Sequence, residues 1–175
     1  MSEAPADVLA RARGIRLAIF DVDGVMTDGT LYLGASGEVF KAFNILDGHG
    51  LKMLQSAGVA TAIISGRASE AVTRRAAELS IAHVVQGSAD KVADFERLLA
   101  RLGVAESACS FVGDDLPDLA IMRRCGLAVA VANAVEAVRQ SAHYVTRASG
   151  GRGAVREFCE LVLSSRGQLG AAAAV

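Results

Sequence analysis

The feature that most constrains this chain is a regular alternation of short apolar runs with segments of helical period. Five runs predict buried parallel strands because they are short and rich in aliphatic residues; they cover residues 15–20, 59–64, 83–85, 110–112 and 127–131. Helices with recognisable caps or stops are predicted between them, over residues 50–57, 69–79, 90–102 and 117–124. Such a series predicts a doubly wound, mostly parallel α/β sheet with helices on both faces, in one domain over residues 1–175.

Two segments depart from this alternation. Residues 30–44 predict a β-hairpin, with its turn at 34–37, inserted between the first strand and the first core helix. Residues 149–153 are rich in glycine and predict a flexible segment before a last helix over 154–163. We expect this segment to fold over a ligand as a lid, and truncation after Arg147 to leave a folded protein.

Charge and hydropathy exclude several classes of function. The chain has 18 Lys and Arg against 19 Asp and Glu, a net charge of −1, which lacks the basic surplus of a nucleic-acid-binding protein. No apolar stretch reaches the roughly 18 residues of a membrane span, so no membrane partner and a cytoplasmic location are expected. The three cysteines, in apolar surroundings, are expected to be buried free thiols.

Polar residues follow the predicted strands at the edge where a doubly wound sheet builds its site. In chain order they are Asp21, Asp23, Ser65, Gly66, Arg67, Lys91, Asp114, Asp115 and Asp118. The carboxylates would repel one another without cations, and Lys91 supplies only one positive charge. Hard oxygen ligands favour Mg²⁺, and Ser65 with nearby backbone N–H groups would bind a phosphate. The set predicts a phosphoryl-transfer site.

The residues of these motifs and their order along the chain resemble those of the haloacid dehalogenase superfamily of phosphotransferases. Within it, the stretches at residues 20–29, 43–50, 87–91, 113–116 and 150–157 are similar to those of phosphatases that act on 3-deoxy-D-manno-octulosonate 8-phosphate (KDO 8-phosphate), an eight-carbon keto-sugar acid phosphate. The resemblance implies Mg²⁺-dependent hydrolysis to KDO and inorganic phosphate, in lipopolysaccharide precursor biosynthesis.

The resemblance also implies the role of each carboxylate. Asp21 would be the nucleophile that forms an aspartyl phosphate, and Asp23 the acid and then the base. The carboxylates of Asp21 and Asp114 and the backbone carbonyl of Asp23 would bind Mg²⁺. Asp115 or Asp118 would orient water or a lysine from outside the metal's own ligands.

The remaining site residues are assigned to the substrate. Ser65, Gly66 and Lys91 would bind the phosphate and stabilise the charge of its transition state. A planar guanidinium suits the sugar-acid carboxylate, with Arg67 the first candidate and Arg152 the second, although either side chain could simply be exposed on the surface. Lys41 and His49 are weaker candidates.

No cap domain fits between the first two strands, because the hairpin and a helix use nearly all of the residues there. Water must then be excluded in another way, and the resemblance implies a homotetramer whose hairpins form a central barrel and whose neighbours cover one another's sites. The hairpin residues Leu31, Leu33, Val39 and Phe40 are compatible with that assembly and also with packing inside one chain.

Three alternatives stay open from the sequence alone. A phosphatase for nine-carbon sialic-acid-type phosphates would share the fold and the chemistry, although Arg67 favours the eight-carbon substrate. A non-catalytic phosphoacceptor domain would need its aspartate after the third strand, where this chain has Gln86. An inactive scaffold fits poorly, since every phosphoryl-transfer position is filled.

Overall fold

The computed structural model describes residues 4–35 and 37–172, and its centre is a parallel β-sheet. The strands are β1 Leu17–Phe20, β2 Tyr32–Gly34, β3 Gly37–Phe40, β4 Ala60–Ile64, β5 His83–Val85, β6 Cys109–Gly113, β7 Leu127–Ala130 and β8 Tyr144–Val145. Six of them form one sheet in the order β5, β4, β1, β6, β7, β8, and every neighbouring pair in it is parallel. The predicted doubly wound α/β fold is confirmed, and each of the five predicted runs overlaps a strand of this sheet.

The central strand β1 sets the position of the site. Its last residue, Phe20, is in register with Ile63 of β4 on one side and with Val112 of β6 on the other. The chain thus leaves β1 toward one side of the sheet first and reaches the other side later. A crevice opens at such a switch point beyond the carboxyl ends of the strands, and ligands bind there.

The helices cover the sheet in two groups. Their bounds are α1 Ala6–Arg13, α2 Ile45–Ser56, α3 Glu70–Glu78, α4 Lys91–Leu102, α5 Leu119–Met122, α6 Glu136–Ser141, α7 Ala154–Ser165 and α8 Leu169–Ala172. Helix α7 packs against α1 and α2, while α5 packs against α4 and α6. None of the helices in the described part of the chain has the length and apolar character that a bilayer crossing needs.

Four of these elements were not predicted, and one helix begins earlier than expected. The additions are α1, α6, α8 and the two-residue edge strand β8. Helix α2 begins at Ile45, because the side chain of Asn44 caps it by accepting a hydrogen bond from the Leu46 N–H at 2.8 Å. Gly50, the predicted start, lies inside the helix, where a Cβ would meet Arg156 at 3.0 Å. Its lack of a side chain serves the close packing of α2 on α7.

Helix α7 belongs to the core. The ring of Phe158 makes an edge-on contact with that of Phe20 at 5.5 Å, and both side chains are fully buried. Truncation after Arg147 would therefore remove a wall of the core and expose β1, so the expectation that the truncated chain stays folded is wrong. The glycine-rich composition of residues 149–153 does not show that the helix after them is buried. That burial depends on the contacts of α7 with α1, α2 and β1.

The predicted hairpin is present between β1 and α2. Strands β2 and β3 pair with each other in a separate two-stranded sheet, and the rings of Tyr32 and Phe40 stack at 4.3 Å. The predicted turn includes Ser36, which lies outside the described residues, as does the side chain of Val39. Within the described residues, the segment between β1 and β4 holds only this hairpin and α2, with no cap domain.

Candidate active site

Three neighbouring strands deliver polar residues to one cleft. Asp21 follows β1, Ser65 follows β4 and Asp114 follows β6, and these strands are adjacent in the sheet. The cleft has a volume of about 640 Å³ and is lined by Asp21, Asp23, Ser65, Gly66, Arg67, Ser88, Ala89, Asp90, Lys91, Val92, Asp114, Asp115 and Pro117. The structure therefore brings together most of the candidate residues, with four exceptions: Asp118 lies beneath the cleft, and Arg152 and the weaker candidates Lys41 and His49 are not among the residues that line it.

Asp21 lies at the bottom of the cleft in a fixed orientation. Its Oδ1 accepts a hydrogen bond from the Val22 N–H at 2.7 Å, and its Oδ2 lies 2.9 Å from Lys91 Nζ. Burial and the nearby Asp118 raise the pKa of Asp21 to about 6, although Lys91 acts in the opposite direction. The arrangement leaves a carboxylate with one oxygen held by the backbone and the other by a cation.

Lys91 occupies the first position of α4, where it bridges two carboxylates. Asp90 caps the helix by accepting hydrogen bonds from the Val92 and Ala93 N–H groups, both at 3.0 Å. The Lys91 ammonium then reaches both Asp21 and Asp118, the latter at 2.8 Å. Burial alone would lower the pKa of Lys91, but its two carboxylate partners raise it above the ordinary value, so the side chain stays charged.

Asp114 carries the clearest sign of a cation-binding site. Its Oδ1 is buried and has no hydrogen-bond partner among the described residues. Burial, followed by the negative charges of Asp21, Asp118 and Asp115, raises the pKa of Asp114 to about 7. One carboxylate oxygen from each of Asp21, Asp114 and Asp118 lies within 4.8 Å of the others. An all-oxygen cluster of this kind, with one oxygen left unpaired, fits Mg²⁺.

Asp118 is already occupied by other partners. Its Oδ1 pairs with Lys91, and its Oδ2 accepts hydrogen bonds from the N–H groups of Asp114 at 3.0 Å and Asp115 at 3.3 Å. Its side chain is only 1% exposed. These bonds fix the loop after β6 and the side chain of Lys91. The geometry therefore fits the predicted role of Asp118 outside the metal's own ligands better than the role of a direct metal ligand.

Asp23 lies nearer the mouth of the cleft and contacts two cations. Its Oδ1 is 2.5 Å from Lys41 Nζ, and its Oδ2 is 3.6 Å from Arg67 Nε. Lys41 follows the hairpin and its side chain is only 2% exposed, whereas half of the Arg67 side chain is exposed. The sequence indicated Lys41 only as a weak substrate contact, because nothing in its spacing shows that the hairpin returns to Asp23.

The segment after β4 forms one wall of the cleft. Ser65 is buried, and its carbonyl accepts a hydrogen bond from the Ser88 N–H at 3.0 Å. The carbonyl of Arg67 accepts another from the Gly87 N–H at 3.2 Å. These bonds join the segment to the loop after β5, so Ser88 also lines the cleft. Ser88 stands within the motif at 87–91, but the sequence gave it no role.

Arg152 and its glycine neighbours lie behind the loop that follows β1. Arg152 is 3.5 Å from Asp28, and 73% of its side chain is exposed. The Gly151 N–H donates to the Val25 carbonyl at 3.0 Å, and its own carbonyl accepts from Asn44 at 3.3 Å. Residues 149–153 therefore pack against the Asp21 loop in this structure, and Arg152 is not brought to the cleft.

Comparison with known proteins shows which class of enzyme has this fold and this set of site residues. A family model described as haloacid dehalogenase-like hydrolase matches residues 78–158, which include Lys91, Asp114 and Asp118. A crystal structure of a probable YrbI family phosphatase from Pseudomonas syringae aligns with a TM-score of 0.95 and 53% identity, covering 97% of both chains.

Two further relatives narrow the class. The 3-deoxy-D-manno-octulosonate 8-phosphate phosphatase KdsC of Escherichia coli K12 is 48% identical over 94% of this chain and 87% of its own. The corresponding phosphatase of Moraxella catarrhalis, crystallised with magnesium, phosphate and KDO, aligns with a TM-score of 0.93 and 42% identity, covering 96% of this chain and 97% of that one. The chain thus belongs to the haloacid dehalogenase-like hydrolases and, within them, to the family of the KDO 8-phosphate phosphatases, as the motifs predict.

Proposed function

We propose that this protein is a Mg²⁺-dependent phosphatase that hydrolyses KDO 8-phosphate to KDO and inorganic phosphate. The observation that carries the proposal is the cleft itself, where Asp21 is held by Lys91 beside the unpaired Asp114 oxygen. Family membership narrows the substrate to this sugar acid.

Asp21 is the nucleophile of this proposal. Its carboxylate oxygen attacks phosphorus, and the bond between phosphorus and the sugar oxygen breaks while Asp23 gives that oxygen a proton. A water molecule then attacks the phosphorus of the aspartyl phosphate, which releases the Asp21 carboxylate, and the water's proton goes to Asp23. The hydrogen bond from the Val22 N–H to Asp21 Oδ1 fixes the orientation of the carboxylate through both steps.

The carboxylates of Asp21 and Asp114 and the backbone carbonyl of Asp23 would hold the magnesium ion. When bound, the ion neutralises phosphate oxygens and thereby lowers the repulsion between the substrate and the carboxylate nucleophile. Asp118 holds the Lys91 ammonium and the loop of Asp114 and Asp115 from outside that set. Lys91, Ser65 and the backbone around Gly66 stabilise the charge on the transferring phosphoryl oxygens.

Arg67 is our candidate for binding the sugar-acid carboxylate. It lies at the mouth of the cleft, half exposed, with its guanidinium within reach of a ligand that enters past Asp23. Arg152 ranks below it, because this residue is paired with Asp28 outside the cleft.

Phosphate release from a panel of substrates tests the function. KDO 8-phosphate, a nine-carbon sialic-acid-type phosphate and a simple alkyl phosphate are compared with Mg²⁺ and with EDTA. We expect the highest kcat/KM for KDO 8-phosphate, and no phosphate release from any substrate without a divalent ion. A higher value for the nine-carbon substrate would change the assignment, and one labelled phosphate per chain with no turnover would support a phosphoacceptor domain instead.

The location and assembly follow from the same proposal. A charged sugar phosphate does not cross a bilayer, so we propose that the protein works in the cytoplasm, on a precursor of lipopolysaccharide. We also propose that it is a single-domain subunit of a homotetramer. The hairpin and the start of α2 expose apolar side chains that an assembly would bury, namely Leu31, Leu33, Phe40, Ile45 and Leu46.

Light scattering on a sizing column tests this assembly. The variant Leu33→Glu places a charge in the apolar hairpin and is expected to lower the molar mass of the particle. Val145→Glu, at another exposed apolar position on β8, is the matched control and should leave the mass unchanged. A monomeric wild-type protein would contradict the tetramer.

A further inference from the structure

Gly24 directly follows Asp23, the proposed acid and base, and lies against Asp114 of the carboxylate cluster. Its φ is +88°, a backbone conformation that residues with a side chain rarely adopt. The position therefore favours glycine, and no side chain of its own can fix it. On one side a Cβ at this position would lie 2.0 Å from Asp114 Oδ2. On the other, a Cβ at Gly150 would lie 1.7 Å from the Gly24 carbonyl oxygen. The glycine is thus enclosed between the carboxylate cluster and the segment 149–153.

One side chain joins the backbone on both sides of this contact. Asn133, in the loop after β7, donates from Nδ2 to the Gly24 carbonyl at 3.0 Å. Its Oδ1 accepts a hydrogen bond from the Gly150 N–H at 2.6 Å. The same loop is fixed to the end of β6, because the Val135 N–H donates to the Asp114 carbonyl at 2.9 Å.

The two bonds together require an amide. A backbone carbonyl needs a donor and a backbone N–H needs an acceptor, and among short side chains asparagine supplies one of each on a planar group. Aspartate would place an oxygen against the Gly24 carbonyl oxygen, and alanine would leave both backbone groups to water.

We propose that Asn133 is a positioning residue that fixes the loop carrying Asp23, and so places the acid and base of the reaction. This inference rests on the proposed function. Asp21 is held separately by Val22 and Lys91, so loss of Asn133 should disturb Asp23 more than the nucleophile.

A choice of leaving group separates these two effects. A sugar alkoxide leaves only when it is protonated, so KDO 8-phosphate needs Asp23 in the first step. A nitrophenolate leaves without a proton, so p-nitrophenyl phosphate needs Asp23 only when water attacks the aspartyl phosphate. A displaced Asp23 therefore slows the steady state for both substrates, but it does not slow the first release of nitrophenol.

The experiment compares the wild-type enzyme with Asn133→Ala and Asn133→Asp under stopped flow and in the steady state, with Mg²⁺ present. We expect kcat for KDO 8-phosphate to fall about 10- to 100-fold in both variants with little change in KM. The pre-steady-state release of nitrophenol should stay within about threefold of wild type. Gln140→Glu, an exposed position on α6, repeats the charge change of Asn133→Asp away from this contact and should be unaffected.

The outcomes distinguish a failure of the role proposed for Asn133 from a failure of the proposed phosphatase function. Wild-type kinetics in both variants, or an equal loss in the nitrophenol burst and the steady state, would overturn the role of Asn133 while the wild-type enzyme still hydrolyses KDO 8-phosphate. No hydrolysis by the wild-type enzyme would overturn the proposed function and this inference with it. Thermal melting checks that the variants fold, and Asn133→Asp, which keeps the acceptor for Gly150, serves as the test if the alanine variant does not.

Discussion

The floor and the mouth of the cleft are built in different ways. On the floor, Asp21, Lys91 and Asp118 form a continuous chain of contacts in which each side chain is at most 11% exposed. At the mouth, Asp23 is partly exposed and Arg67 half exposed, at 3.6 Å from each other. The floor residues contact one another at the ends of β1 and β6 and the start of α4, whereas Asp23 and Arg67 at the mouth lie on loops.

This difference separates general chemistry from specificity. Buried, mutually fixed charges suit phosphoryl transfer, which every substrate of such an enzyme shares. An exposed guanidinium at the mouth can pair with a group that only one kind of substrate carries. Substitutions on the floor should therefore affect all substrates, and a substitution of Arg67 at the mouth should affect the sugar acid selectively.

The largest effect is expected for Asp21→Asn. The amide has the shape of the carboxylate but is not a nucleophile, so kcat should fall by about 10⁴-fold or more on every phosphate ester while the melting temperature is retained. Steady-state assays on KDO 8-phosphate and p-nitrophenyl phosphate measure this. Turnover near that of wild type would contradict the covalent mechanism.

Asp114→Ala tests whether the floor holds the metal. The variant should lose at least about 100-fold in kcat, and raising Mg²⁺ should restore little of it. A ligand that binds only the folded state raises its melting temperature, so Mg²⁺ should stabilise the wild-type protein and not this variant.

Asp7→Ala on α1 is the matched control for the metal test, since it is exposed and remote from the cleft. It should keep both the activity and the Mg²⁺-dependent rise in melting temperature. Hydrolysis by the wild-type protein in EDTA would show that the floor works without a divalent ion, against the assignment of Asp114.

Arg67→Ala tests the mouth. We expect KM for KDO 8-phosphate to rise about 10-fold or more and KM for a simple alkyl phosphate to change less than about threefold, since only the sugar acid loses an ion pair. Arg74→Ala, which removes an exposed arginine paired with Glu70 on α3, should change neither value. Equal effects on the two substrates would remove Arg67 from the specificity assignment.

Arg152→Ala should have the smallest effect. Its side chain is paired with Asp28 behind the loop, so KM for KDO 8-phosphate should change by less than about threefold in the same assays. A larger rise than that of Arg67→Ala would reverse the ranking and show that Arg152 reaches a substrate, in its own cleft or a neighbour's.

Much of the fold could be predicted because the pattern is strong where burial is complete. Strand β1 is buried along its whole length, and such a strand is a continuous apolar run that needs no partner to be recognised. The edge strand β8 has two residues, one of them exposed, and it gave no periodic signal. The prediction starts α2 at Gly50, whereas its start at Ile45 depends on the cap formed by the side chain of Asn44.

By itself, the sequence determined which residues follow the strands and therefore which groups meet at the sheet edge, since parallel strands carry their carboxyl ends to one side. Only the tertiary structure decided that Lys91 joins Asp21 to Asp118, that Lys41 returns from the hairpin to Asp23, and that Asn133 holds Gly24. These contacts join residues far apart in the chain, and their existence depends on strand order and loop packing. Local periodicity carries no information about either.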